Sequence, residues 1–285
     1  MDRHWVVIGL IAAATSCISE RCAASTNVYP WMENRVAQRC IAHDLPVPKG
    51  FVRTQVAADS FAEWLRNLPL KPAGTEILLH SGQRKPNQTF HAAVLDIDTG
   101  ARDLQQCADA IIRLRSEYLF SLSKFDSIVF NFTNGNPAPY VRWMRGYRPQ
   151  VKENTVRWER RAMLDTSYKG FRAYLDNLFA YAGTESLSRE LGGSVDVKQM
   201  QIGDVFIRGG FPGHAVIVLD MAENKETGEK VFMLAQSYMP AQDIHILKNL
   251  KDTGLAPWYQ LNFGEKLQTP EWEFLSTQLK RFNNP

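Results

Sequence analysis

Apolar positions along the chain fall into sharply periodic segments separated by turn-rich stretches. Leu104, Cys107, Ala108, Ile111, Leu114 and Tyr118 recur at three- and four-residue steps, which predicts an amphipathic helix over 103–120. On another face of that helix Asp109, Arg113 and Glu117 are spaced for i,i+4 ion pairs. Phe171, Tyr174, Leu175 and Leu178 predict a second helix over 171–182; Gly183 interrupts it, and Thr184 or Ser186 can cap a short helix reaching Leu191. Ser60 caps another short helix over 61–68, which Pro69 ends. The pattern changes to strands at 76–80, 89–98 and 127–133, the last with Ile128, Phe130 and Phe132 on one side. From Gly203 onward strands dominate, at 204–207, 214–221, 231–238 and 243–247, with a turn at 224–228 between the middle two. Residues 138–168, rich in Trp, Tyr and Arg, follow no single period. Helices interleaved with hairpin-connected strands predict one α+β domain over 51–285, an antiparallel sheet with packed helices.

The first segment has a different pattern. Asp2, Arg3 and His4 precede an apolar run from Trp5 to Ala14, long enough for the core of a signal peptide and too short to span a bilayer. Residues 1–24 therefore read as an export signal. Ala14-Thr15-Ser16-Cys17 has the form of a lipobox whose cysteine is lipidated, and Cys22-Ala23-Ala24 suits ordinary signal peptidase. The first choice would anchor the mature protein through Cys17 to a membrane surface without spanning it. Either choice places the protein in the cell envelope or periplasm. Residues 25–50, with Pro30, Pro46, Pro48 and Gly50, read as a linker carrying one short helix around 32–42.

Composition adds limits. A hydrophobic content of 45% is enough for a real core, and a net charge of +3 without any Lys/Arg run gives no reason to invoke nucleic acid. Cys40 and Cys107 remain after the leader cysteines, and an oxidising compartment would allow them to pair. There is no CxxC and no HExxH, so neither a metal nor a cofactor is expected.

The stretch richest in chemistry is Gly203-Asp204-Val205-Phe206-Ile207 followed by Pro212-Gly213-His214-Ala215-Val216. A histidine opens a strongly apolar strand directly after a Gly-rich loop. Pairing around the 224–228 turn would bring Gln236 or Ser237 beside it, and an amide there can fix the imidazole tautomer. This order resembles the C-terminal half of papain-like cysteine peptidases, and Gly203–Ile207 resembles the Gly-Asp strand of bacterial cell-wall peptidases of the NlpC/P60 and CHAP kind. The resemblance implies a papain-like (NlpC/P60-type) C-terminal region with His214 as base and Gln236 as its orienter. Those families place a cysteine at a helix start. The helix start at 183–187 has Thr184 and Ser186 instead, for which capping is the other role. Cys107 lies early in the 103–120 helix after Gln105 and Gln106, which can donate to an oxyanion; its other roles are a core thiol or a disulfide to Cys40.

Two further constellations stand out. Asp96 and Asp98 share a strand face, as a glycosidase carboxylate pair would, or as solvated strand-end acids do. Trp143, Tyr147 and Trp158 with Arg142, Arg145 and Arg148 can stack a sugar, bind an anion, or simply pack.

Over residues 46–282 the chain also resembles a bacterial family, the domain of unknown function 4846. The runs that carry this are Ala93–Asp98, Asp103–Ala110, Tyr181–Thr184, Pro212–Val216 and Ala235–Gln242. That resemblance implies an envelope or lipoprotein setting and no particular reaction. The combined expectation is an envelope hydrolase or transferase acting on an amide bond, such as one in peptidoglycan peptides, with His214, Gln236 and either Cys107 or Ser186. The alternative is a non-catalytic envelope-binding or scaffold module with a degenerate site; a glycan-active enzyme is third.

Overall fold

The apolar run after His214 sets the centre of the structure. In a computed structural model that describes residues 29–33 and 35–283, it forms a strand, His214–Asn224, buried from His214 to Ala222. A strand with no polar face has to be covered on both sides. Along the chain come α1 (Ile41–Asp44), β1 (Phe51–Arg53), α2 (Phe61–Arg66), β2 (His91–Val94) and the long helix α3 (Cys107–Ser121). Then follow β3 (Val129–Asn131), β4 (Pro137–Pro139), α4 (Tyr140–Met144), β5 (Tyr147–Lys152), β6 (Thr155–Arg160), α5 (Tyr168–Phe179), α6 (Thr184–Glu190) and β7 (Val205–Arg208). The central strand is β8, and β9 (Lys230–Gln236), β10 (His245–Leu247), β11 (Trp258–Gln260), β12 (Lys266–Gln268), β13 (Glu273–Leu275) and β14 (Leu279–Lys280) complete the order.

The main sheet has eight strands in the order β14-β7-β8-β9-β10-β2, with β1 added to the far half of β8 and β11 to the start of β9. All of its pairings are antiparallel. The class is thus α+β with an antiparallel sheet. Helices α2 and α3 pack against β8. Phe206 of β7 and Phe232 of β9 meet Phe263, and Phe206 also meets Phe274 of β13, so the C-terminal tail supplies further cover. Between Val218 and Asp220 the β8–β9 register shifts. Asp220, fully buried, meets Arg53 of β1 and Arg66 of α2, each at 2.7 Å. Among the described residues no helix is long and apolar enough to cross a membrane.

Several expectations need correction. Residues 29–50 are not a linker along their length, because Tyr29, Trp31, Met32 and Ile41 are core residues. Tyr29 and Trp31 pack their rings on Trp64 of α2. Cys40 and Cys107 do not pair: Cys40 is disulfide-bonded while Cys107 keeps a free thiol. The Arg113–Glu117 pair that the spacing predicts is present at 2.6 Å and fully buried. Tyr168 of α5 covers it and donates its hydroxyl to Glu117. Residues 138–168 resolve into β4, α4 and the β5–β6 hairpin. The export signal and the lipidation position Cys17 lie outside the described residues.

Candidate active site

Periodicity predicts a helix from 103, but α3 begins at Cys107. The four residues before it are tied elsewhere. Asp103 accepts the Ala241 N–H at 2.7 Å. The Gln105 side chain accepts from Arg113 at 2.9 Å and donates to the Asp98 carbonyl at 3.4 Å. The Ser237 hydroxyl donates to the Gln105 carbonyl at 3.0 Å. Asp109 then reaches back to accept the Gln106 N–H at 3.1 Å, which caps the helix at Gln106. The thiol consequently sits at the first residue of a fifteen-residue helix. Backbone N–H groups there lack intrahelical acceptors and the dipole favours negative charge.

His214 opens β8 as the sequence predicts. Its ring is buried beside Tyr238, Trp272 and Phe274, with centroids at 4.8, 5.2 and 5.9 Å. Its Nε2 lies in hydrogen-bond contact with Gln236 Oε1 at 2.7 Å. Behind it, the Gln236 amide nitrogen donates to Glu271 at 2.7 Å. Glu271 in turn takes both of its oxygens to Lys85 Nζ at 2.7 Å.

Cys107 and His214 line one cleft of about 490 Å³, together with Gln106, Gly183, Thr184, Tyr238 and Trp272. Their proximity has a second sign: the backbone N–H of Ala215, the residue after His214, acts on the Cys107 thiol and favours its ionised form. Burial pushes the thiol up to about 11, and the Asp109 carboxyl adds to this; the N–H groups of Ala108, Ala215 and Cys107 itself pull the other way. Burial pushes the His214 imidazole down to about 4, opposed by its bond to Gln236 and helped by the Lys85 charge. Near neutral pH, then, the free protein holds a neutral thiol and a neutral imidazole in one cleft.

The other sequence candidates lie elsewhere. Ser186 is buried and its hydroxyl is spent on Gly183, accepting the N–H at 3.0 Å and donating to the carbonyl at 3.1 Å. It does not line the cleft. Thr184 does, donating to the Gly210 carbonyl at 3.1 Å. Ser237 serves the start of α3 rather than His214. Asp98 is paired with Arg113 and Arg172, and Asp96 with Arg35, which leaves no free carboxylate pair. Arg148 lies 3.9 Å from the Trp143 ring centroid, and Arg142 covers Tyr147 and Trp158, so these cations and aromatics largely satisfy one another. Among the described residues no group of three metal-ligating side chains occurs.

Four contributors were missed from sequence: Lys85, Tyr238, Glu271 and Trp272. Lys85 lies in a turn-rich segment and Glu271 in a loop-rich tail, with no local periodicity to single out either.

No curated protein and no solved structure matches the chain. Residues 41–281 match the family described as domain of unknown function 4846, and the chain belongs to that family.

Proposed function

We propose that this protein is a cysteine-dependent amide hydrolase or acyltransferase with a papain-like site, exported to the cell envelope and acting on peptide bonds of cell-wall material. One observation carries the reading: Cys107 at the first turn of α3 shares a cleft with His214, whose other ring nitrogen is held by Gln236. In this reading His214 Nδ1 takes the thiol proton as sulfur attacks the carbonyl carbon. The Cys107 N–H and the helix start favour the oxyanion. His214 returns the proton to the leaving amine, and water or an acceptor amine then releases the acyl group from sulfur. The envelope setting rests on the leader sequence, and the substrate class on the resemblance of 203–238 to cell-wall peptidases.

The rival reading is a non-catalytic envelope-binding module. It is favoured by the neutral state of both groups, the thiol near 11 and the imidazole near 4, where a preformed thiolate–imidazolium pair would need the opposite order. Incubation with muropeptides separates the two. The catalytic reading expects new free amines from wild type, none from Cys107→Ala, and at least about a hundredfold less from His214→Ala. Wild-type protein as inactive as both variants, with Cys107 alkylated no faster than an ordinary free thiol, would overturn it.

A further inference from the structure

A glutamine beside a histidine can face it either way. With its oxygen toward the ring it accepts, and with its nitrogen toward the ring it donates. Each choice places the single proton of a neutral imidazole on a different nitrogen. We propose that the Lys85–Glu271 ion pair is a positioning device that holds the Gln236 amide in one orientation and thereby keeps the His214 proton on Nε2, leaving the Nδ1 lone pair free. The consequence for catalysis rests on the reading of His214 as a base; the tautomer itself does not.

From Lys85 to His214 each polar atom has one option. Lys85 Nζ donates to both Glu271 oxygens at 2.7 Å, and Lys85 is only 7% exposed, so both oxygens already serve as acceptors to a buried ammonium. A carboxylate only accepts. The group that meets Glu271 at 2.7 Å must therefore be the Gln236 NH2. Its oxygen then faces His214 at 2.7 Å, and an oxygen only accepts, so His214 Nε2 carries the proton. The second Gln236 amide hydrogen has an acceptor of its own. His245 Nδ1 donates to the Asp243 carbonyl at 2.9 Å, which leaves His245 Nε2 as a lone pair, 3.4 Å from the Gln236 nitrogen. Trp272, next in sequence to Glu271, packs its ring beside His214. One loop thus supplies both the anchor and part of the cover.

The test is nitrogen NMR of the full protein carrying 15N-labelled histidine, which distinguishes protonated from unprotonated ring nitrogens. Because Glu271→Ala alone would strand a buried lysine, the informative variant is Lys85→Met with Glu271→Met, which removes both charges at similar volume. Wild type is expected to show His214 as the Nε2–H form. The folded double variant is expected to show an Nδ1–H population, with Cys107 alkylation at pH 7 slowed about tenfold, a difference of roughly 1.4 kcal/mol. A wild-type proton on Nδ1, or a folded double variant that keeps only the Nε2–H form, would overturn the proposal. A changed tautomer with unchanged alkylation supports the positioning role and counts only against His214 acting on Cys107.

Discussion

A β-carbon built on Gly213 would stand 2.3 Å from the Gly210 carbonyl oxygen, 2.4 Å from Thr184 Oγ1 and 2.8 Å from the Arg208 carbonyl oxygen. Thr184 donates to that same Gly210 carbonyl, so the start of α6 is stapled to the loop that delivers His214. Gly213→Ala is therefore expected to force this staple apart, lowering stability by about 1–3 kcal/mol in denaturant melts. It should also alter the alkylation rate of Cys107 across the cleft. Gly193→Ala is the matched control: nothing lies within 4 Å of its β-carbon, and it should change stability by less than about 0.5 kcal/mol. Equal effects at both positions would show that the staple does not hold the loop. At this scale His214 and Gln236 were legible because a Gly-rich loop, an apolar strand and one turn bring them together. Lys85 and Glu271 were not, because their bond spans 186 positions and no local pattern marks either partner.

The elements show why Cys107 was ambiguous in sequence. Periodicity says which residues share a face, and Cys107 does recur with Ile111 and Leu114. It does not say where a helix begins. That is decided by Asp103, Gln105 and Ser237, which bind other segments and leave Cys107 as the first helical residue. The buried Arg113–Glu117 pair was equally hidden, since the same spacing serves a solvated face until α5 covers it. A second buried carboxylate joins elements across the sheet. Asp220 holds Arg53 of β1 and Arg66 of α2, with Arg66 also donating to the Thr54 carbonyl at 2.8 Å. Asp220→Ala would leave both guanidiniums against β8 without this counter-charge, at a cost of about 3–5 kcal/mol. The loss should be local first. Hydrogen exchange is expected to rise in β1 and α2 before β9 and β10; uniform loss of protection would refute Asp220 as the fastener of those two elements.

For the whole molecule, burying a neutral imidazole in the cleft makes stability depend on pH. Burial holds His214 down to about 4 and His245 down to about 3, against roughly 6.5 in an unfolded chain. Between those values the unfolded chain binds protons that the folded one refuses. The contribution of the two histidines is therefore complete above about pH 6.5 and is lost as pH falls toward 4. At pH 5 each ring costs about 2 kcal/mol. Glu190 acts in the opposite direction. Burial raises it to about 7, opposed by the Asn131 N–H that it accepts. The folded protein thus keeps a proton there that the unfolded chain gives up above about pH 4.5, and stability falls as pH rises from 4.5 to 7. The wild-type curve between pH 5 and 7 is a partial cancellation of these opposed titrations. Glu190→Gln removes one side while keeping an oxygen for Asn131. The variant is expected to be the more stable protein at pH 8, by up to about 2 kcal/mol after allowance for solvent screening. It should then lose stability more steeply than wild type from pH 7 to pH 5, because one titration that opposes the histidines is gone while the raised Asp109 and Glu117 carboxyls are common to both proteins. Urea midpoints measured at pH 5, 6, 7 and 8 for both proteins decide this. Parallel curves would mean that Glu190 does not titrate in this range, and a variant that flattens the acid limb would reverse the sign assigned to it.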